Sequence, residues 1–313
     1  MEKTKSKLQA VSIALCTYNG ERFLKEQLES ILNQDYENID EIICVDDNSK
    51  DSTWEILKEY SNKYTIFKLY RNLSNLGFVK NYEKAITLTH NLLIAISDQD
   101  DIWYPTKISN LVNTIGNNLM SYSDNDYIDN KGKSLGRKFS DMRNLTTNTS
   151  CLNFALFNAI SGHTILLNRN LLQYSLPFPD DIPYDFWLAF QASQYGKIQI
   201  VRKALVGYRQ HDNNTIGAIG AKTTRKKVRK FEDTIISPNR IQIFAKNMAS
   251  DLTKEQLVLE QLGDSYTNRS LKNRLKRVTI IWNNRETILL FKKTNKFRKM
   301  FFCVKAFWKF KFE

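Results

Sequence analysis

Four short apolar runs, at residues 11–16, 42–45, 65–70 and 92–96, each end in polar residues and alternate with stretches of helical spacing. That order restricts the chain to an α/β layer structure. Strands covered by helices on both faces read as near-continuous apolar runs. Successive strand–helix–strand units cross over right-handed, which makes the strands parallel. The first intervening helix carries Phe23, Leu24, Leu28, Ile31 and Leu32 on one face. Asp51, Ser52 and Thr53 offer N-cap side chains to a second, with Trp54, Ile56 and Leu57, and a third spans 79–88. Parallel strands share one carboxyl edge, where open α/β sheets bind ligands.

The fourth run delivers Asp98-Gln99-Asp100-Asp101 to that edge, ahead of Ile102-Trp103. Three carboxylates within four residues repel one another and desolvate badly unless a cation joins them. Hard oxygen ligands suit Mg²⁺ or Mn²⁺. Such an ion can neutralise a diphosphate leaving group, which points to chemistry on a nucleotide-sugar. The same residues would also serve as an acidic loop or helix N-terminus without a ligand. Gly-x-Gly-x-x-Gly and Walker patterns are absent, which argues against dinucleotide oxidoreductases and P-loop enzymes.

The formal net charge of +13 is unevenly spread. Residues 1–220 hold 23 Lys and Arg against 25 Asp and Glu; residues 221–313 hold 23 against 8. The expected division is therefore a catalytic domain at 1–220 and a basic helical extension at 221–313. The excess begins with the run at 222–230, and the end interleaves bases with aromatics. On a helix, Phe297, Phe301, Val304 and Trp308 fall on one stripe. Such a segment suits an anionic membrane surface; it could also pack on the catalytic domain, and nucleic acid ranks last. The polar start and the lack of an 18-residue apolar run predict no signal peptide and no transmembrane helix. Cys16, Cys44, Cys151 and Cys303 lack paired spacing and read as reduced, buried thiols, which suits a cytoplasmic protein.

Taken as an ordered set, Thr17-Tyr18-Asn19, the stretch from Val45 to Ser52, Arg71 to Gly77, and Ser97 to Trp103 resemble the nucleotide-binding half of family 2 glycosyltransferases. Tyr184-Asp185-Phe186-Trp187 and Tyr208-Arg209-Gln210-His211 are similar to the bacterial rhamnosyltransferase-like subgroup. The resemblance covers roughly residues 10–217 and implies a GT-A fold: a Rossmann-like, mainly parallel sheet flanked by helices. It places Thr17, Tyr18 and Asn19 along base and ribose, and has Asp46 accept from a pyrimidine N–H or the ribose. Arg71 and Asn75 could supply donors nearby. Asp98 would approach the ribose or a Mn²⁺ or Mg²⁺ ion and Asp100 would bind the metal. His211 is the candidate third ligand, or else a hydrogen-bonding loop residue. Asp47 and Asn48 read as turn chemistry. His90 reads as structural, and His163 as lining the acceptor side or packing.

An inverting transfer needs a carboxylate base for the acceptor hydroxyl, with an oxocarbenium-like transition state. Asp185 fits, at the start of an apolar helix, although an N-cap would sit there too. Family members often carry an acid–acid or His–Asp pair at this point, where this chain has Tyr184-Asp185; Asp180 and Asp181 are the weaker alternatives. Trp103 and Trp187 suit either sugar stacking or the core. The expected function is metal-dependent inverting transfer from a dTDP- or UDP-sugar to a lipid-linked glycan. It would occur at the inner face of the cell membrane, for surface polysaccharide synthesis. A sugar-1-phosphate nucleotidyltransferase and a non-catalytic anionic-polymer-binding protein are the alternatives.

Overall fold

The structure, a computed structural model, describes residues 8–147, 149–211, 238–268 and 270–308. The basic run at 222–230 lies outside them, as do residues 309–313 of the aromatic end. The first half alternates as expected: β1 (Val11–Thr17), α1 (Leu24–Leu32), β2 (Ile39–Asp46), α2 (Thr53–Lys63), β3 (Phe67–Arg71), α3 (Phe78–Leu88) and β4 (Leu93–Ser97). Then come β5 (Ile102–Trp103), α4 (Lys107–Ile115), β6 (Met120–Ile128), β7 (Ser134–Lys138), β8 (Ile165–Asn168), α5 (Leu172–Ser175), α6 (Tyr184–Tyr195) and β9 (Ile198–Arg209).

The strands form one sheet in the order β3-β2-β1-β4-β8-β6-β9-β5, with β7 paired to β6. From β3 to β4 every pairing is parallel. Beyond β4 the sheet is mixed: β8 runs antiparallel to β4 and β6, and β9 is parallel to β6 but antiparallel to β5. The α/β architecture is as expected, with the continuous parallel run confined to β3, β2, β1 and β4.

Alternation along the central strands feeds two separate cores. Ala14 and Cys16, Ile43 and Val45, and Ile94 and Ile96 pack with α3 and α6 on one face. Val11, Ile13 and Leu15, Ile42 and Cys44, and Leu93 and Ala95 pack with α1, α2 and α4 on the other. Each face buries side chains at period two, and the polar exceptions are paired, as Ser12 is with Glu41. The four cysteines are free and buried.

The described part of the basic extension forms helices Pro238–Lys246, Thr253–Asp264, Leu271–Asn283, Arg285–Ile288 and Lys296–Lys305. Ile241, Phe244, Leu259, Ile281, Phe291 and Cys303 join the same core as α3 and α6. Polar ties reinforce the packing: the Asn144 amide donates to the carbonyls of Leu290 and Lys292, and the Asn153 amide to that of Thr287. No helix among the described residues is long and apolar enough to cross a membrane.

Candidate active site

Strand register sets the first wall of the site. Thr17 lies opposite Asp46, and Asp46 opposite Arg71, so the last residues of β1, β2 and β3 stand side by side. Asp46 is fully buried. Its carboxylate accepts from the Thr17 hydroxyl at 3.0 Å and from the Ser49 amide and hydroxyl, and pairs with Arg71 Nε at 3.2 Å. With those acceptors taken, direct contact with a base would require one of them to give way. Its visible work is to hold Thr17, Ser49 and Arg71 together.

Asp47 does not cap its own turn, the role its place after β2 suggested, but braces a distant loop. It accepts from the backbone amides of Leu76 and Gly77 and from the Asn72 side chain, which folds the β3–α3 loop back on β2. Asn75 lies in that loop, its amide 3.4 Å from the Asp47 carbonyl. Tyr18 is exposed, and Asn19 takes a left-handed backbone (φ 48°) while its side chain accepts from the Lys50 amide. Gln99 pairs with both backbone groups of Tyr18, at 2.8 and 3.0 Å, and so ties the acid loop to the β1 exit. Gly20 makes that possible, because a Cβ there would stand 2.2 Å from Gln99 Oε1.

Behind the loop the acids are held by groups from both faces of the sheet. Asp98 accepts from the Tyr82 hydroxyl and, at 3.4 Å, from that of Tyr184. Nδ1 of buried His163 lies 3.4 Å from Asp98 Oδ2 and 3.4 Å from Asp101 Oδ2. Burial works to raise the Asp98 pKa, but His163, Tyr82 and the charge of Lys107 bring it below the ordinary value. Asp101, buried outright, is raised instead. The imidazole is raised too, since Asp101 and Asp98 outweigh its burial. Lys107 closes the set: it donates to the His163 carbonyl at 2.7 Å, lies over the Trp103 ring at 3.1 Å, and is driven well down by burial.

The other wall comes from β9. Its antiparallel pairing with β5 puts Ile102 opposite Gly207, which brings the residues after Arg209 against the acid loop. Arg209 fixes the loop backbone, donating from its amide to Asp101 Oδ1 and from Nε to the Asp100 carbonyl. His211 Nε2 then meets Asp100 Oδ2 at 2.8 Å. The expected trio of Asp98, Asp100 and His211 is therefore divided into the Asp100–His211 pair and an Asp98 turned toward Tyr82 and His163. Among the described residues the ligating atoms that converge, within 4.8 Å, belong to Asp98, Asp101 and His163. Asp101 is sealed from solvent, whereas Asp100 and His211 are both part-exposed. Within the convergent set Asp101 and His163 are sealed but Asp98 is open, so the groups that face a Mn²⁺ or Mg²⁺ ion at the edge are Asp98 and the Asp100–His211 pair.

Asp185 opens the apolar helix α6 as its second residue; Pro183 occupies the N-cap. Its carboxylate accepts from the amides of Phe186, at 2.7 Å, and Gly162. Burial above all, with the charge of Asp98 adding to it, raises the carboxyl to about 7. Asp180 instead pairs with Lys80, and Asp181 accepts from Asn239. Trp103 and Trp187 are buried core aromatics, the latter donating to the Ser175 carbonyl, so neither offers a face to a sugar. His90 pairs with Glu41 away from the acid loop. Sequence reasoning missed Gln99, Tyr82, Lys107 and Arg209. Lys107 had left a trace, standing one turn before Leu111 on an apolar stripe.

The chain is similar to several known proteins. The chain is 28% identical over 263 residues to the dTDP-rhamnosyl transferase RfbG of Shigella flexneri, covering 80% of this chain and 89% of that one. It is 29% identical over 182 residues to the UDP-Glc:alpha-D-GlcNAc-diphosphoundecaprenol beta-1,3-glucosyltransferase WfaP of Escherichia coli, covering 58% and 70%. Its fold matches that of S. aureus TarS 1-349, solved in complex with UDP-GlcNAc, with a TM-score of 0.60 at 16% identity, over 89% of this chain and 81% of that one. The sheet is thus of the GT-A type. The model of glycosyl transferase family 2 matches residues 12–173, more than half of the sequence and every strand of the parallel half. A chain that carries this match on this sheet is a glycosyltransferase and belongs to family 2.

Proposed function

We propose that the protein transfers a sugar, with inversion, from a dTDP- or UDP-linked donor to a hydroxyl of a lipid-linked glycan in surface polysaccharide synthesis. The observation that carries this reading is the convergence on one acid loop of helix α6, whose Tyr184 reaches Asp98 and whose next residue is Asp185, and of His211, which meets Asp100. Thr17, Tyr18, Asn19, Arg71 and Asn75 would line the base and ribose, with Asp46 holding the first of them in place. Asp100 and His211 would hold a Mn²⁺ or Mg²⁺ ion, and Asp98 would join them by turning from Tyr82 and His163. When bound, that ion supplies Lewis-acid neutralisation of the departing diphosphate. Asp185 takes the proton of the acceptor hydroxyl as its oxygen bonds to the anomeric carbon and the bond to the diphosphate oxygen breaks. A carboxyl near 7 suits that task, because its base form is present at neutral pH and can still accept a proton.

Support for the donor and acceptor classes comes from the relatives, of which one is a dTDP-rhamnosyl transferase and another acts on a diphosphoundecaprenol-linked sugar. An acceptor of that kind would have the enzyme work as a peripheral protein at the cytoplasmic membrane face. Family membership sets aside the nucleotidyltransferase and the non-catalytic readings. The test is a donor-hydrolysis screen of the purified protein across UDP-, dTDP- and GDP-sugars with Mn²⁺. Hydrolysis of a UDP- or dTDP-sugar that stops with EDTA is the expected result; hydrolysis of GDP-sugars alone, or activity indifferent to EDTA, overturns it.

A further inference from the structure

Among the described residues the basic aromatic end has two faces, and one of them is packed into the fold. On helix Lys296–Lys305, Cys303 and the following Ala306 are buried in the core, and Lys299 is held by Glu286 at 2.8 Å. Phe302 packs on Phe157, and Arg277 reaches the Ala306 carbonyl. The opposite face carries Phe297, Phe301 and Val304, which are 76%, 55% and 51% exposed; Trp308, in the turn after the helix, is 73% exposed. Leu271 and Leu275, one turn apart on the neighbouring helix Leu271–Asn283, are also exposed. Large apolar side chains on a firmly seated helix are held in water at a cost unless something covers them.

Charge identifies what covers them. Residues 287–312 hold eight Lys and Arg and no Asp or Glu. Lys296, Arg298 and Lys305 stand exposed among the aromatics, with the Lys305 ammonium 4.6 Å from the Phe301 ring. A protein–protein interface core is depleted in lysine, whereas aromatics interleaved with lysine suit a bilayer interface, rings among the upper acyl chains and cations among the phosphates. We infer that this face docks on an anionic phospholipid bilayer and seats the domain on the membrane. The inference deepens the proposed lipid-linked acceptor, but its test needs neither donor nor acceptor.

The experiment is sedimentation of the full-length protein with phosphatidylglycerol vesicles and with phosphatidylcholine vesicles, at low and high salt. Binding to the anionic vesicles, weakened by salt, is expected. The combined Phe297→Ala, Phe301→Ala and Trp308→Ala variant should bind about tenfold or more weakly while keeping donor hydrolysis. Brominated lipid should quench part of the wild-type fluorescence, and Trp308→Phe should lose that part. Wild-type protein that ignores anionic vesicles at low salt overturns the inference, as does undiminished binding by the combined variant. So does a wild-type dimer that the variant converts to monomer, which would assign the face to a second copy. Wild-type protein that binds anionic vesicles but hydrolyses no donor would sink only the catalytic reading.

Discussion

The phenol of Tyr184 fills the space in which a side chain at Gly162 would begin: a Cβ there would stand 1.9 Å from the Tyr184 oxygen and 2.5 Å from Cζ. The bare backbone at 162 is what lets the phenol reach Asp98 while the next residue, Asp185, accepts from the Gly162 amide. Gly162→Ala should therefore push Tyr184 aside and carry Asp185 with it. We expect a loss of about 1–3 kcal/mol in urea unfolding and a fall in turnover larger than any fall in nucleotide binding. Wild-type turnover in this variant would show that the phenol's position is irrelevant.

Asp185→Asn should lower transfer by about 10²- to 10⁴-fold and leave nucleotide affinity, measured by calorimetry, within a small factor of wild type. If turnover survives and only stability drops, the residue serves the helix terminus alone.

The raised Asp185 carboxyl also fixes the pH behaviour. Its folded value, about 7, lies above the unfolded value, so its contribution to stability is complete at low pH and is lost as pH rises toward 7. Activity runs the other way. The base must be ionised, so kcat/KM should climb with pH and level off above about 7. A rate profile flat from pH 5 to 8 (about the span in which such a group titrates) is the outcome that excludes this base.

For the Asp100–His211 pair, Asp100→Asn should cut turnover about hundredfold or more with the fold intact by circular dichroism. Mn²⁺ should raise the wild-type melting temperature only with nucleotide present, and that rise should disappear in Asp100→Asn. A rise with metal alone, or one retained by the variant, would place the ion elsewhere.

Gly20 and Gln99 should prove energetically coupled. Gly20→Ala collides with the Gln99 side chain, so its cost should shrink once Gln99→Ala has emptied the space. The double-mutant cycle should give an interaction of about 1 kcal/mol or more; strictly additive effects would mean that the glycine is needed for something else.

The parallel half of the fold was legible because β1, β4 and most of β2 are near-continuous apolar runs buried on both faces, and β3, though interrupted by Lys68, keeps its place in the strand–helix alternation. β6 was not. It reads as Ser121, Ser123, Asp124, Asn125 and Asp126 among fewer apolar residues, yet it is largely buried. Local hydrogen bonds, such as that of Ser121 to the Leu111 carbonyl, satisfy part of what hydropathy counts as exposed. The two-residue β5 had no local signal at all, since its strand character comes from pairing with β9 a hundred residues on. Asp100, His211 and Asp185 could be named through the resemblance to an ordered set of family motifs, and they lie in the loop after β4, just past β9 and in the first turn of α6. Tyr82 and Lys107 could not, because what matters about them is which loop their helices lean against.

That leaning has a consequence for how the enzyme can change. Tyr82 and Tyr184 belong to the core beneath α3 and α6, whereas Trp103, under the Lys107 ammonium, belongs to the core beneath α4. The acid loop is thus suspended between two bodies of packing that do not share a side chain. A methyl group gained or lost in either body tilts the loop from its own side, so substitutions far from any substrate atom become paired adjusters of one setting. Lineages can drift in the identity of both cores and still return the carboxylates to the same place, provided that a shift on one side is answered on the other.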